Sequence, residues 1–246
     1  MGKSKVKIEV CIDNIESLHT AIEAGADRIE LCSALALGGL SPSCALLSYA
    51  IANSPIPIYA MVRPRSGDFV YSAAEVDMMC FEIEQFKSLG VHGVVLGLLD
   101  SEGLLPQADL KRLVEAANGV GLTFHRAFDL CSDWQNALET LIDFGFERIL
   151  SSGQRASAIE GIATLEAMAT QADDRIKIMP GAGLNASNAQ QIVEQTGAGE
   201  VHLSGKGKRE SLFTGTSNAV MGQDADLDRW IDVTDFKKVA AVRRLF

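Results

Sequence analysis

The chain has 246 residues, of which 47% are hydrophobic and only 6% aromatic, with 22 glycines and a formal net charge of −10. That length can bury a large core. The acidic balance argues against a broad nucleic-acid surface, and no apolar run is long enough to span a bilayer or to form the core of a secretory leader. Cys11, Cys32, Cys44, Cys80 and Cys131 are odd in number, widely spaced and without a C-x-x-C. A disulfide framework or a closed zinc site is therefore not expected, and reduced thiols in a cytoplasmic protein are.

Apolar runs and amphipathic segments alternate from end to end. The first strand is expected at 6–11, followed by a helix at 14–25 opened by Asn14 and closed by Gly25. A strand at 28–32 leads to a helix at 42–53 with Pro42 in its first turn, and a strand at 56–63 to a helix at 72–89 capped by Ser72. Strands at 93–99, 121–127, 147–152 and 175–180 alternate with helices at 106–118, 134–144, 157–170 and 186–196. A last strand at 200–204 precedes shorter helical pieces near 224–230 and 234–243. Right-handed crossovers would curl eight such units into a single α/β domain, a TIM-type (β/α)8 barrel, with residues 206–246 as a C-terminal capping segment. An open doubly wound sheet fits less well, because no G-x-G-x-x-G follows the first strand.

Strand parity then sorts the side chains. Val6, Ile8 and Val10 share one face and Lys7, Glu9 and Cys11 the other, while Ile29 and Leu31 oppose Arg28, Glu30 and Cys32. The apolar faces should meet the helices, which puts "IEVC" and "RIELC" inside the barrel near its C-terminal rim. The same reasoning gathers Arg63 and Arg65, Asp100, His125, Ser152, Lys177 and His202 at successive strand ends. Buried unpaired, such groups would cost several kcal/mol each, so they must pair with one another, with water or with a ligand. An interior network that only fixes register is the competing reading.

Cysteine is a soft ligand suited to Cu(I), and thiolates on strands about 5 Å apart suit two-coordinate binding. That makes Cys11 and Cys32 the candidate metal ligands, although a free cysteine is also an ordinary small core residue. Cys44 and Cys80 fall in helical patterns and read as packing residues, and Cys131 as a residue within reach of the rim. His125 and His202 have inward parity and suit acid–base work or metal binding, whereas His19 and His92 read as structural or solvated. Glu9, Glu30, Asp100 and His125 are the candidate proton carriers. The loops "PGAGLNASN", with Gly181 and Gly183, and "SGKGKRE" permit main-chain N–H groups to approach an anion, and Arg63 and Arg65 add forked donors.

Taken in order, "RIELC", "GGLSPS", "VRPRSGDFVYS", "GVVLGLLD", "LTFHRAFD", "RILSSGQ", "PGAG" and "EVH" resemble the CutC family from about residue 8 to about residue 205. The resemblance implies a single TIM-type barrel, a cytoplasmic homo-oligomer (dimer or tetramer), and copper handling through Cu(I) held by Cys11 and Cys32. It also implies a polar rim of Glu9, Glu30, Arg63, Arg65, Asp68, Asp100, His125, Arg126, Asp129 and His202. The alternative expectation is an enzyme acting on a small anionic or phosphorylated metabolite, with Arg63, Arg65, Asp68, Arg126, Asp129, Ser152, Gly181, Gly183 and His202 binding it. No organic cofactor is evident in the sequence.

Overall fold

In the computed structural model, which describes residues 5–215, 219 and 229–246, the alternation becomes eight short parallel strands. They are β1 (Lys7–Ile12), β2 (Arg28–Leu31), β3 (Ile58–Met61), β4 (Gly93–Leu96), β5 (Gly121–Phe124), β6 (Arg148–Ser151), β7 (Lys177–Pro180) and β8 (Glu200–Leu203). Ladder pairing runs from β7 in chain order back to β1, and β1 then pairs with β8. At the remaining seam a Cβ on Gly181, just past β7, would stand 3.3 Å from the Cβ of His202 on β8, so the sheet is a nearly closed barrel. The strands are shorter than the apolar runs suggest, because residues at their ends turn into the loops.

The helices are α1 (Ile15–Glu23), α2 (Cys44–Asn53), α3 (Ala73–Ser88), α4 (Gln107–Ala116), α5 (Trp134–Asp143), α6 (Ile162–Ala172), α7 (Ala189–Thr196) and α8 (Phe236–Arg243). Local chemistry starts several of them. The Asn14 side chain accepts from Ser17 N, Ser72 and Glu75 form a reciprocal capping box, and Asp235 accepts from Lys237 N and Lys238 N. Between strands and helices lies the main core, built from the outward strand face (Ile8, Val10, Ile12, Ile29, Leu31, Ile58, Val94, Ile149) and the inner helix faces.

The described residues of the C-terminal segment do two things. Lys206–Glu210 (β9) and Trp230–Thr234 (β10) pair antiparallel as a hairpin set into the loop after β8. Helix α8 then takes the eighth helix position. It leaves the mouth where Asp235 N meets Gly205 O, buries Val239 and Val242, and ends with Arg243 on Asp27 Oδ2 (2.6 Å) and Val6 O (3.1 Å) at the opposite end of the barrel. "KGKRE", expected as an anion-binding turn, is thus strand β9. Of the helical piece expected at 224–230, residues 224–228 lie outside the described residues, and Trp230 opens β10.

The lower barrel interior is filled by charge. Arg28 bridges Glu9 and Glu200 (2.7 Å to the latter), and Arg148 reaches Glu200 (3.0 Å), Glu147 (2.9 Å) and Thr123 Oγ1 (2.9 Å). Both guanidinium groups lie over the Tyr59 ring, at 5.2 and 4.9 Å, and the Tyr59 hydroxyl donates to Glu147 at 2.8 Å. Gly93 and Gly121 make room for that ring, since a Cβ on either would come within 2.2 Å of Tyr59. This plug fills the N-terminal end of the barrel interior. Lys177 belongs to the closed end: it opens β7 and pairs with Asp174 at 2.6 Å, not at the rim as its strand parity suggested.

Candidate functional site

Above the plug the strand ends and following loops enclose a cavity of about 630 Å³. Cys11 on β1, Glu30 on β2, Met61 on β3 and His202 on β8 line its floor. Arg63, Phe69, His125, Arg126, Asp129 and Gly183 line its walls, and Lys206, Asp232, Thr234 and Lys238 come from the C-terminal segment.

The parity rule places Glu9, Cys11, Glu30 and His202 together. In register Glu9 lies beside both Arg28 and His202, and Cys11 beside Glu30. His202 Nδ1 and Glu9 Oε1 are 2.8 Å apart, while His202 Nε2 faces Glu30 Oε2 at 3.8 Å. Burial of Glu9 is outweighed by the Arg28 and His202 charges, which hold its carboxyl well below the usual carboxylate range. Burial opposes charge on His202, but the acidic groups around it, Cys11, Glu30 and Glu9, hold it well above the ordinary histidine value. Burial pushes the Glu30 carboxyl up to about 7, against the attraction of His202 and with the help of the Glu9 charge. Glu30 Oε2 accepts from Cys32 Sγ at 3.6 Å, and Glu30 Oε1 is buried with no partner.

Cys11, Glu30 and His202 each offer an atom within 4.8 Å of the others. Cys32 is not in that group. It is fully buried with Tyr59, Met61 and Val95, and burial with the nearby Glu30 charge pushes its thiol well up. Burial pushes Cys11 up as well, with His202 opposing. The donor set that the structure brings together is therefore one thiol, one carboxylate and one imidazole. Its imidazole is held from behind by Glu9, the arrangement that orients metal-bound histidines.

His125 stands on the wall. Its Nδ1 accepts from Ala127 N at 3.2 Å, and its Nε2 is buried without a partner. Burial, helped by the Arg63 charge, pushes it down to about 3, so the ring is neutral at physiological pH. Arg63 gives its terminal nitrogens to main-chain carbonyls, Leu37 and Gly39 from Nη1 and Gly67 from Nη2, all at 3.1 Å, and keeps a buried, unpartnered Nε. The Tyr71 hydroxyl lies against the same guanidinium.

The remaining candidates hold loops. Arg65 is spent within its own segment, on Glu75 (2.6 Å), Asp68 (2.9 Å) and the Val70 carbonyl (2.9 Å), so neither Arg65 nor Asp68 reaches the cavity. Asp100 accepts from Glu102 N and Leu104 N in its turn and stays outside the cavity. Asp129 gathers Ser151 Oγ, Ser152 N, Gln154 N and Arg126, and Ser152 Oγ bonds Arg126 and Arg155 O, which fixes the loop after β6. Gly181 leaves space for Leu150 and His202, and Gly183, at φ +70°, forms part of the wall.

Two cysteines depart from expectation. Cys44 is exposed at the start of α2, and Cys131, just past the turn that lines the mouth, turns its side chain into the main core and does not line the cavity. Both sites follow from where a strand or helix begins, which periodicity locates only to within a turn. His19 meets Tyr49 at the surface and His92 accepts from Ile58 N, both structural. Sequence reasoning passed over Tyr59, Arg148 and Glu200. The signal was present, since each shares parity with an inward residue two positions later.

The CutC family model matches residues 6–207. A CutC family protein of Pasteurella multocida is 50% identical over 238 residues, covering 97% of this chain and 98% of its own. One from Vibrio campbellii is 51% identical over 237 residues, covering 95% and 96%. A solved CutC from Streptococcus agalactiae, a protein named for copper homeostasis, superimposes with a TM-score of 0.77 at 34% identity, covering 81% of this chain and 98% of its own. Phosphoribosylanthranilate isomerase from Thermotoga maritima shares the barrel fold at 12% identity and a TM-score of 0.56, covering 98% of this chain and 97% of its own. With the family model spanning most of the chain and relatives near half identity over nearly all of it, the chain belongs to the CutC family.

Proposed function

We propose that the barrel mouth binds a small anionic metabolite and that Glu30 exchanges a proton with it. One observation carries this reading: Glu30 Oε1, Arg63 Nε and His125 Nε2 are buried polar atoms without partners, and all three residues line the same cavity. Leaving such atoms unsatisfied costs about 1–3 kcal/mol each, a cost a ligand would remove. A cavity of about 630 Å³ is also metabolite-sized and far larger than an ion needs. Arg63 supplies positive charge, Glu30 an acid whose pKa near 7 suits transfer in either direction, and Glu9 holds His202 beside it. Asp100, Arg65, Asp68 and Ser152 have no part in this chemistry, because their own loops use them.

A thermal-shift screen with small anions, phosphorylated and not, tests the proposal. A ligand at a hundredfold excess over its Kd adds about 2.7 kcal/mol to the folded state, and Arg63→Gln should abolish that gain. A screen in which no anion stabilises the wild type overturns it.

A second reading is favoured by the convergence of Cys11, Glu30 and His202. Thiol and imidazole suit Cu(I), and copper handling is the role named for the Streptococcus agalactiae relative. Binding would displace the protons of Cys11 and His202, so it should weaken as pH falls. In an anaerobic Cu(I) titration Cys11→Ser should lose far more affinity than Cys32→Ser, and equal affinities across wild type and both variants would refute it. No helix among the described residues is long and apolar enough to cross a membrane, and a cytoplasmic location is part of the proposal. So is self-association as a dimer or tetramer, supported by the exposed Leu212, Phe213, Trp230 and Ile231 and read by light scattering.

A further inference from the structure

We infer that Arg63 and His125 together form a two-donor seat for a planar oxyanion, so that the metabolite is a carbonyl compound whose enolate oxygen they hold. The inference rests on the mouth being a small-molecule site and names the group that the site takes.

Two side chains are each held so that one N–H is left over. His125 accepts from Ala127 N through Nδ1, which places the ring proton on Nε2, the atom with no partner. The ring is packed against Gly97, where a Cβ would come within 2.5 Å of Nδ1 and Cε1, so residue 97 must be small for the ring to lie there. Arg63 commits both terminal nitrogens to three carbonyls and leaves Nε–H. The Phe69 ring lies 4.9 Å from the Arg63 guanidinium and 4.9 Å from the His125 ring, tying the two donors to one apolar wall.

A buried imidazole beside a guanidinium cannot serve as a base, because a second positive charge there is unfavourable. It can donate, and a fixed neutral donor beside a cation is suited to negative charge that develops on oxygen during reaction. The orphaned acceptor in the same cavity is Glu30 Oε1. In the step this implies, the Glu30 carboxylate removes a proton from the carbon next to the carbonyl. The C–H electron pair becomes the new C=C bond, the carbonyl π pair moves to oxygen, and the Nε2–H of His125 and Nε–H of Arg63 hold that oxygen. Return of the proton from Glu30 to the same carbon, or to the neighbouring carbon while the proton of the adjacent hydroxyl passes to the held oxygen, restores the carboxylate and requires no outside oxidant or reductant. The class is enolisation or isomerisation of a small carbonyl acid or hydroxy-carbonyl compound.

The test uses 15N-labelled full-length protein titrated with oxalate, a planar dianion that resembles an enolate flanked by a carboxylate, and with inorganic phosphate as a tetrahedral comparison. Imidazole nitrogen spectra should show His125 neutral and protonated on Nε2 from pH 5 to pH 8, with that signal moving as oxalate binds. His125→Phe should weaken oxalate at least about tenfold, the loss of one hydrogen bond to a charged group. The inference is overturned if His125 titrates near its ordinary value, if oxalate saturates without moving the His125 signal, if phosphate binds more tightly than oxalate, or if oxalate does not bind. Because the His125 signal is read on the unaltered protein, misfolding of the variant cannot hide the answer. Failure of the wider reading looks different: no anion in the metabolite screen would stabilise the fold.

Discussion

Replacing Glu30 by glutamine, Glu30→Gln, should make the protein more stable, and only at a pH where the native carboxylate is charged. Glu30 is 3% exposed, with one oxygen unpartnered, and burial raises its carboxyl from the ordinary 4.5 to about 7. Between those values the unfolded chain has already lost the proton and the folded chain keeps it. The unfolded state then binds fewer protons, so stability falls as pH rises through this window and levels off above about 7. At about 1.4 kcal/mol per pH unit, the fold gives up about 3 kcal/mol to hold a charged Glu30 at pH 8. Glutamine keeps the shape without the charge. Urea unfolding followed by circular dichroism should show the variant about 3 kcal/mol more stable at pH 8 and nearly equal to wild type at pH 5. Equal stability at pH 8, or the same difference at both pH values, would show that the fold does not hold Glu30 under strain.

Three further outcomes follow from the barrel interior. Gly93→Ala places a Cβ 2.2 Å from the Tyr59 ring and should cost about 1–3 kcal/mol by thermal denaturation in the wild type, but almost nothing when made in a Tyr59→Ala background. Glu9→Gln leaves Arg28 and His202 without their shared buried partner; it should destabilise by about 3–5 kcal/mol and lower the His202 pKa, which NMR titration reads directly. Arg65→Ala should speed hydrogen exchange across residues 64–75 while leaving the affinity for any mouth ligand unchanged, because Arg65 bonds only within that segment.

The fold was legible because a barrel is repetitive: eight alternations of period two and period 3.6, punctuated by Gly25, Gly90, Gly119, Gly145 and Gly197, admit few topologies. The same period put Glu9, Cys11, Glu30 and His202 inside. Four features were not legible. Parity says that a residue faces inward but not at what height, so it could not separate Lys177 or the Arg28–Glu200–Arg148 plug from the mouth. It also paired Cys11 with Cys32 as metal ligands, where stagger between strands sets Cys11 beside Glu30 and His202. Whether an arginine is free depends on loop conformation, which explains why Arg63 keeps an open N–H and Arg65 does not. The C-terminal hairpin escaped notice because "KGKRE" alternates small and charged residues with no apolar strand signal.

The proton exchange proposed for the mouth requires, on its floor, an acid–base group tuned to neutral pH. Infrared difference spectroscopy of wild type against Glu30→Gln, recorded from pH 4 to pH 9, reads the Glu30 carboxyl directly. Half-protonation near 7 is the result predicted; a carboxyl that is already ionised at pH 5, as an ordinary solvated glutamate is, would contradict it.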